Sequence, residues 1–488
     1  MMFGCENTFL CSKHWLMAVI ALCLFSTGCV KYDYTAKPVD TDQHAESYVN
    51  RQLDDPGLRE FMDEYGYATG EWPRKSWDLH GLTLAGYYFN PKIQVAIARH
   101  NKSLVNEEVA GIYPNPGIQI PFEHHSDTSG GVSPWLIGIV LDFVFERSAK
   151  RDARVEHARA ESDITKIEIL KSAWQIYKSV RQSYLDFFVA VSIREFLQRK
   201  HEVVEEIVNI LSRSFELGQT SEFELNTMRL ELQKVRLELV NQDVLITDTL
   251  HKLAGEIGVP VSAINGVNLD FSEIDQYLDS DELNDLKLQK IALTHRLDMQ
   301  QALSEYAAFE AALKLEIEKQ YPDVNLSPGF VFDQNDNIWA LGASWVLPLL
   351  HPSNEGPVKL ALADRTIKQA EIISLQSGII NEIKLADSRL ESTGIALEEA
   401  QLLMQEALER NRQMEKQYDL GQINTLVVLR NKLELLSIER ALEEIEVNVI
   451  NAAFDYEDVI QYPLLDIPGY QLYTDMKTNT PETNNENY

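Results

Sequence analysis

Apolar side chains recur at alternating steps of three and four along residues 147 to 215. Ile169, Ala173, Ile176, Val180, Phe187 and Ala190 form one stripe of this kind. The spacing is that of a coiled-coil-like helix. No proline or glycine interrupts it between Arg147 and Phe215, so at about 1.5 Å per residue the helix is roughly 100 Å long. A second such stretch runs from about Pro357 to Tyr418 and reaches roughly 90 Å on the same rise. Shorter helical patterns follow each, at about 221 to 256 and 424 to 461. Others precede them. One opens at Asn90-Pro91, places Ile93, Ile97, Ala98, Leu104, Val105 and Val109 on one face and stops at Tyr113. The other runs from about Arg296 to Lys319.

Ahead of each long helix the period changes from 3.6 to 2. Trp135, Ile137, Ile139, Leu141, Phe143 and Phe145 alternate with Leu136, Gly138, Val140, Asp142, Val144 and Glu146. Trp339, Leu341, Ala343, Trp345 and Leu347 alternate with Ile338, Ala340, Gly342, Ser344 and Val346. Even positions carry the large residues in two further strands, Ile118, Ile120 and Phe122, and Val324, Leu326, Phe330 and Phe332. Dyad alternation over about 10 residues with aromatic ends marks a strand with one face toward lipid. A soluble sheet with one face on a core would show the same alternation, but no large apolar partner layer is evident.

These elements occur twice. Phe215-Glu216-Leu217-Gly218-Gln219-Thr220 returns as Tyr418-Asp419-Leu420-Gly421-Gln422-Ile423, and Tyr113-Pro114 returns as Tyr321-Pro322. The period of about 203 to 208 far exceeds that of solenoid repeats and indicates a duplicated half. In each half a glycine turn joins the long helix to the returning one. Gly218 and Gly421 suit the left-handed position that closes a helix. Ser221 with Glu224, and Asn424, are expected N-caps. In each half, the helix before the strands and the returning helix would stack end to end against the long one.

The formal net charge of −31, from 75 acidic and 44 basic residues, argues against a nucleic acid partner. All four cysteines, Cys5, Cys11, Cys23 and Cys29, lie near the N-terminus. There Lys13 and His14 precede an apolar run of about 11 residues, too short for a permanent span. Ser26-Thr27-Gly28-Cys29 resembles a bacterial lipobox, with Cys29 as the lipidated residue and Ser26 where leucine is usual. An ordinary signal peptide is the alternative. Val30, rather than aspartate, favours the outer membrane by the same resemblance. No later stretch approaches 18 consecutive apolar residues, so any membrane passage must use strands. Four strands cannot close a fully paired barrel, so the chain must assemble with copies of itself.

The chain resembles the TolC family of outer membrane efflux channels over about residues 80 to 465. The resemblance rests on Asn90-Pro91, Ala110-Gly111-Ile112-Tyr113-Pro114-Asn115-Pro116 and Leu347-Pro348-Leu349-Leu350 leading to Asn354-Glu355-Gly356. Tyr418 and Gly421, with Leu426, Val428 and Leu429, complete it. The Pro-Asn-Pro and Asn-Glu-Gly elements look most like its heavy-metal efflux branch. The implied fold is mainly α with a membrane β-barrel portion: a homotrimer with a 12-stranded β-barrel, four strands per chain, on a long periplasmic α-helical barrel. Implied partners are a periplasmic adaptor (membrane fusion protein), an inner-membrane pump and outer membrane lipid. The expected divisions are 1–28 signal peptide, 29–80 lipidated N-terminal arm, extended with one short helix near Leu58 to Tyr65, and 81–256 first repeat. They continue with 257–294 inter-repeat segment, 295–463 second repeat and 464–488 disordered tail.

The resemblance implies a periplasmic tip and gate at Phe215, Gly218, Tyr418, Gly421, Val427 and Arg430, and lipid-facing positions at Trp135, Ile137, Ile139, Leu141, Phe143, Trp339, Leu341 and Trp345. Where family members can carry aspartates that ring the aperture, this chain has Val427 and Arg430. No cofactor or metal is expected. His124-His125 read as a polar loop tip rather than a metal site. The chain has no Walker loop, Gly-x-Ser-x-Gly, His-Glu-x-x-His or Cys-x-x-Cys, so an enzyme is not expected. A passive conduit is expected, the alternative being a periplasmic coiled-coil structural or adaptor lipoprotein.

Overall fold

The computed structural model describes residues 34–67, 70–127, 130–279, 292–346 and 354–462. The lipobox and Cys29, Leu347 to Leu350 and the tail from 464 lie outside them. Helix α1 (Thr41–Val49) forms a small unit of its own with residues up to Asn50. Asp40 caps it by accepting from the Asp42 and Gln43 amides, and none of its residues is buried.

The main body begins at Arg51 with α2 (Pro56–Glu64), α3 (Leu79–Phe89), α4 (Pro91–Ala110), β1 (Gly117–Gln119), β2 (Phe122–His124) and β3 (Trp135–Phe145). It continues with α5 (Ser148–Glu216) and α6 (Glu222–Ile257), then α7 (Leu297–Glu318), β4 (Val324–Asp333), β5 (Asp336–Ser344), α8 (Glu355–Asp419) and α9 (Thr425–Ile460). The caps fall where side-chain chemistry places them. Asn90 accepts from the Lys92 amide at 3.0 Å, with Pro91 at the first helical position. Ser221 accepts from Glu224 N–H at 3.2 Å, and Asn424 from Val427 N–H at 3.1 Å. Two shorter helices pack on each long one: α4 and α6 on α5, α7 and α9 on α8. Helices α7 and α9 also pack on α5, which joins the two halves.

The 51–80 segment is not an extended arm. Leu53, Leu58, Met62, Trp77 and Leu79 are buried in the largest core. They lie there with α3, the middle of α5, the end of α6, part of α9 and residues 259–277. Trp77 forms a parallel bridge to Leu269, donating to Asn268 O and accepting from Asp270 N–H, both at 2.9 Å. Helix α3 was not expected. Nine of its 11 residues are buried, so no polar face produces a helical period, although Asp78 caps it by accepting from Gly81 N–H at 2.8 Å. In α4 the buried face is Ile93, Ala96, His100 and Ser103. Leu104, Val105 and Val109, assigned inward by pattern, are exposed. The inward positions instead meet hydroxyls of α5: His100 Nδ1 and Ser103 Oγ lie 3.0 and 2.7 Å from Thr165 Oγ1.

The N-terminus of α3 carries two opposing titrations. His80 is buried against Tyr67, with ring centroids 4.7 Å apart, and neither ring nitrogen has a hydrogen-bond partner among the described residues. Burial pulls its pKa down to about 4; the Asp78 charge opposes this and Arg74 adds to it. Glu273 accepts from the backbone N–H groups of His80 and Leu79 and is pushed up to about 6, chiefly by burial and then by Asp78. The depressed His80 contributes stability above pH 6.5 that is lost as pH falls toward 4; the raised Glu273 contributes below pH 4.5 and loses it as pH rises past 6. His80→Leu should therefore abolish an acid-side loss of about 2–3 kcal/mol. Unfolding midpoints of wild type and variant at pH 7 and pH 4.5 check this. Parallel pH curves would refute it.

Candidate functional site

The candidate residues fall in two regions: the sheet at one end of the long helices and the glycine turns at the other. The sheet is antiparallel in the order β1, β3, β4, β5, with β2 also on β3. The expected first strand is split at Ile120-Pro121, because proline has no N–H for the ladder. Its two pieces keep one register, Gly117 opposite Asp142 and Phe122 opposite Ile137, and so count as one interrupted strand. Gln334 and Asn335, both at positive φ (48° and 68°), make the two-residue turn between β4 and β5, a geometry that matches strand twist.

The register sorts the side chains by size and polarity. Ile139 faces Phe330, which faces Trp339; Ile137 faces Phe332; Phe143 faces Leu326; Leu141 faces Ile118. Phe122 stacks on Trp135 at 5.1 Å and Phe330 packs on Trp339 at 4.9 Å. The other face is smaller in its middle, with Val140 opposite Gly329, Gly329 opposite Ala340 and Ser327 opposite Gly342, while Leu136 and the Val331–Ile338 pair keep it apolar near the turn. There Asp142 accepts from Gln119 at 2.6 Å and Ser327 at 2.5 Å. Among the described residues the large apolar face has no covering layer: Trp339 is 82% exposed and Leu341 74%. Leu141 and Phe143 are partly covered. Trp345, expected within the last strand, lies just beyond Ser344 and is 52% exposed. Along β5 every residue is exposed, and no strand of the described residues pairs with its outer edge.

Where the sheet passes into the helices, two arginines stack on the repeated tyrosines. Arg147 lies 4.1 Å from the Tyr321 ring centre and Arg151 4.5 Å from that of Tyr113. Arg154 clasps the Glu146 carboxylate through both nitrogens at 3.0 Å. His124 and His125 have other occupations: His124 sits edge-on to Trp135 at 4.4 Å, and His125 Nε2 lies 3.1 Å from Asp333. No cluster among the described residues has the makings of a metal site.

The two glycine turns have the same geometry. Gly218 and Gly421 both have φ of 71°, in the left-handed region that glycine enters freely. Gln219 N–H donates to Ser214 O at 2.8 Å and Gln422 N–H to Gln417 O at 2.9 Å, closing both helices as Schellman caps. Phe215, Tyr418 and Val427 are exposed nearby. The Tyr418 hydroxyl lies 3.3 Å from Thr425 Oγ1. Arg430 reaches across to Glu224 at the start of α6, joining the tips of the two halves. Glu224 also accepts from Thr220 at 2.9 Å, and these two bonds, Thr220 first, hold its carboxyl below the usual range. Behind the tips, Val204, Ile207, Leu211, Leu225, Leu429 and Leu436 pack one hairpin on a helix of the other. The Arg430 partner was not identified from sequence, because Glu224 lies 206 positions away.

No protein-family model matches the chain, and no curated protein does. Solved structures match it. The outer membrane protein VceC of Vibrio cholerae superposes with a TM-score of 0.63 at 17% identity, over 79% of this chain and 97% of its own. CusC, studied for transmembrane channel formation, gives 0.64 at 13%, over 89% of this chain and 100% of its own. The CmeC outer membrane channel of Campylobacter jejuni gives 0.59 at 14%, over 92% and 94%. Duplicated hairpins, amphipathic sheet and glycine tips together therefore build the fold of these solved outer membrane proteins, which bears out the expected mainly α architecture with its small sheet at the level of the single chain.

Proposed function

We propose that the chain is one subunit of a trimeric outer membrane channel, a passive conduit from periplasm to exterior. The observation that carries this is the sheet: large apolar side chains on an uncovered face, small and polar ones behind, and an outer edge that the described chain leaves unpaired. Twelve strands from three copies would pair every edge and turn the apolar face to lipid. Trp135 and Phe145, ten residues apart on β3, span about 33 Å along the strand at ~3.3 Å per residue. Tilted by about 40°, that corresponds to the ~25 Å apolar band of such barrels. The apolar outer face favours this over the coiled-coil spacer, which would leave it uncovered in water.

The helices supply the second half of the case. Phe223, Leu230, Leu237 and Val244 recur every seven residues along α6, and all are exposed. On α8, Leu360, Ile367, Ile395 and Leu402 are exposed too. Two different apolar edges on one chain suit a head-to-tail ring. Among the described residues no helix is long and apolar enough to cross a membrane, which leaves passage to the strands. Cys29 would add a lipid anchor, and an adaptor and an inner-membrane pump would meet the helical tips. Nothing in this role asks for a catalytic residue. Full-length protein in detergent should have the mass of a trimer and conduct in planar bilayers. A stable, non-conducting monomer would reject the proposal.

At the tips, Arg430 to Glu224 acts as a tie between hairpins, placed where the aperture would open. Arg430 is about half exposed and Glu224 is partly exposed, so Arg430→Ala should leave the unfolding midpoint within about 1 °C. It should raise single-channel open probability several-fold. An unchanged open probability would remove Arg430 from the gate.

A further inference from the structure

We infer that Asn265 is a site of spontaneous covalent rearrangement: its side-chain amide closes on the Gly266 nitrogen, and water opens the resulting imide to an isoaspartyl linkage. Asn265 is the only asparagine in the chain followed by glycine. Both residues are exposed, in the turn that follows the short helix Val261–Ala263. Other amides close that turn. Asn265 N–H donates to Val261 O at 2.9 Å and Val267 N–H to Ile264 O at 3.1 Å. Neither the Gly266 N–H nor the Asn265 side chain has a hydrogen-bond partner among the described residues, so the nitrogen attacks without first losing a bond. Gly266 has φ of 80° and open space where a side chain would stand, so nothing crowds the approach. Other turn asparagines are engaged: Asn335 Oδ1 accepts from Ser133 N–H at 3.2 Å, and Asn354 Nδ2 donates to Glu316 O at 2.6 Å.

The reaction needs only water. The Gly266 nitrogen bonds to Cγ of Asn265, the Cγ–Nδ2 bond breaks, and the displaced nitrogen leaves as ammonia with the Gly266 proton. Water then adds to one of the two imide carbonyls. Cleavage between Cγ and the Gly266 nitrogen gives aspartate. Cleavage at the former backbone carbonyl gives isoaspartate, in which the chain runs through the old side chain. That product adds a methylene to the main chain and a carboxylate to the turn. Three residues on, Asn268 O accepts from Trp77 N–H and Asp270 N–H donates to Trp77 O, both at 2.9 Å, and Trp77 is buried in the largest core. A longer path into this segment moves its donor and acceptor out of line. The rearrangement thus loosens the bridge between Trp77 and Leu269.

The test uses full-length protein kept warm in a neutral detergent and oxygen-18 water at pH 6 and pH 8. Isoaspartyl methyltransferase with a labelled methyl donor should mark the peptide holding residue 265. That peptide should carry an oxygen from the water and form faster at pH 8, where the amide nitrogen ionises more readily. Asn265→Gln should remove the mark. Hydrogen exchange in the peptide holding Trp77 should quicken severalfold in converted protein and stay unchanged in Asn265→Gln aged alongside. An Asn265 that persists while other asparagines convert, or conversion to aspartate alone, would overturn the rearrangement. Unchanged exchange at Trp77 after full conversion would overturn the loosening of the bridge.

Discussion

Replacing Arg181 with methionine should destabilise the chain by about 3–5 kcal/mol, the usual cost of leaving one partner of a buried ion pair behind. Arg181 on α5 is 1% exposed and Glu457 on α9 is fully buried. The guanidinium lies 2.7 Å from Glu457 and 3.0 Å from Asp458, and donates to Phe454 O at 3.2 Å. Its plane is enclosed by Phe454 and Tyr177, 4.2 and 5.0 Å from their ring centres. Tyr177 donates to the other Glu457 oxygen at 2.6 Å, and Tyr277 reaches the same carboxyl at 3.5 Å. One cation thus ties the first half, the second half and the inter-repeat segment together.

Burial holds the Glu457 carboxyl above the ordinary range, with Arg181 pulling the other way. Without Arg181 the carboxyl must take up a proton or stay charged in an apolar site. Arg181→Met combined with Glu457→Met should therefore recover most of the loss, since an apolar pair of similar volume replaces a buried ion pair at little net cost. Urea unfolding followed by circular dichroism in detergent measures both. Equal instability of the single and double variants would show that packing, not the uncompensated charge, sets the cost.

The second large effect is expected on the sheet. Leu341→Arg places a charge on the uncovered apolar face, opposite Pro328. If that face meets lipid, the cost is about 2–4 kcal/mol at mid-bilayer depth, and Ile139→Arg in the same chain should add a similar amount. Heat-modifiable migration of membrane-extracted protein should be lost in the double variant. Ala340→Arg, one residue away on the opposite face, should leave assembly intact and change conductance instead. Assembly that survives Ile139→Arg with Leu341→Arg would mean the apolar face is not turned to lipid.

Much of this architecture is local chemistry and was legible in the chain. The long helices begin at Ser148 and Glu355 and end at Glu216 and Asp419, within a few residues of where pattern places them. Proline, glycine and capping side chains act on their own neighbours, so their effect does not depend on the rest of the fold. Period-2 alternation located the strands for the same reason. The 51–80 segment and α3 were misread because burial on all sides removes the polar face that a pattern needs. The inward face of α4 was misread because His100 and Ser103 face hydroxyls, not hydrocarbon.

By itself, then, the sequence determined the duplicated order of helix, strand and glycine turn, since each element is specified by residues a few positions apart. Only the tertiary structure decided which distant groups meet: Arg181 with Glu457, Arg430 with Glu224, and Trp77 with Leu269. Those pairs lie more than 190 positions apart. Their meeting depends on how long helices align side by side, a geometry summed over many weak contacts that no local pattern records.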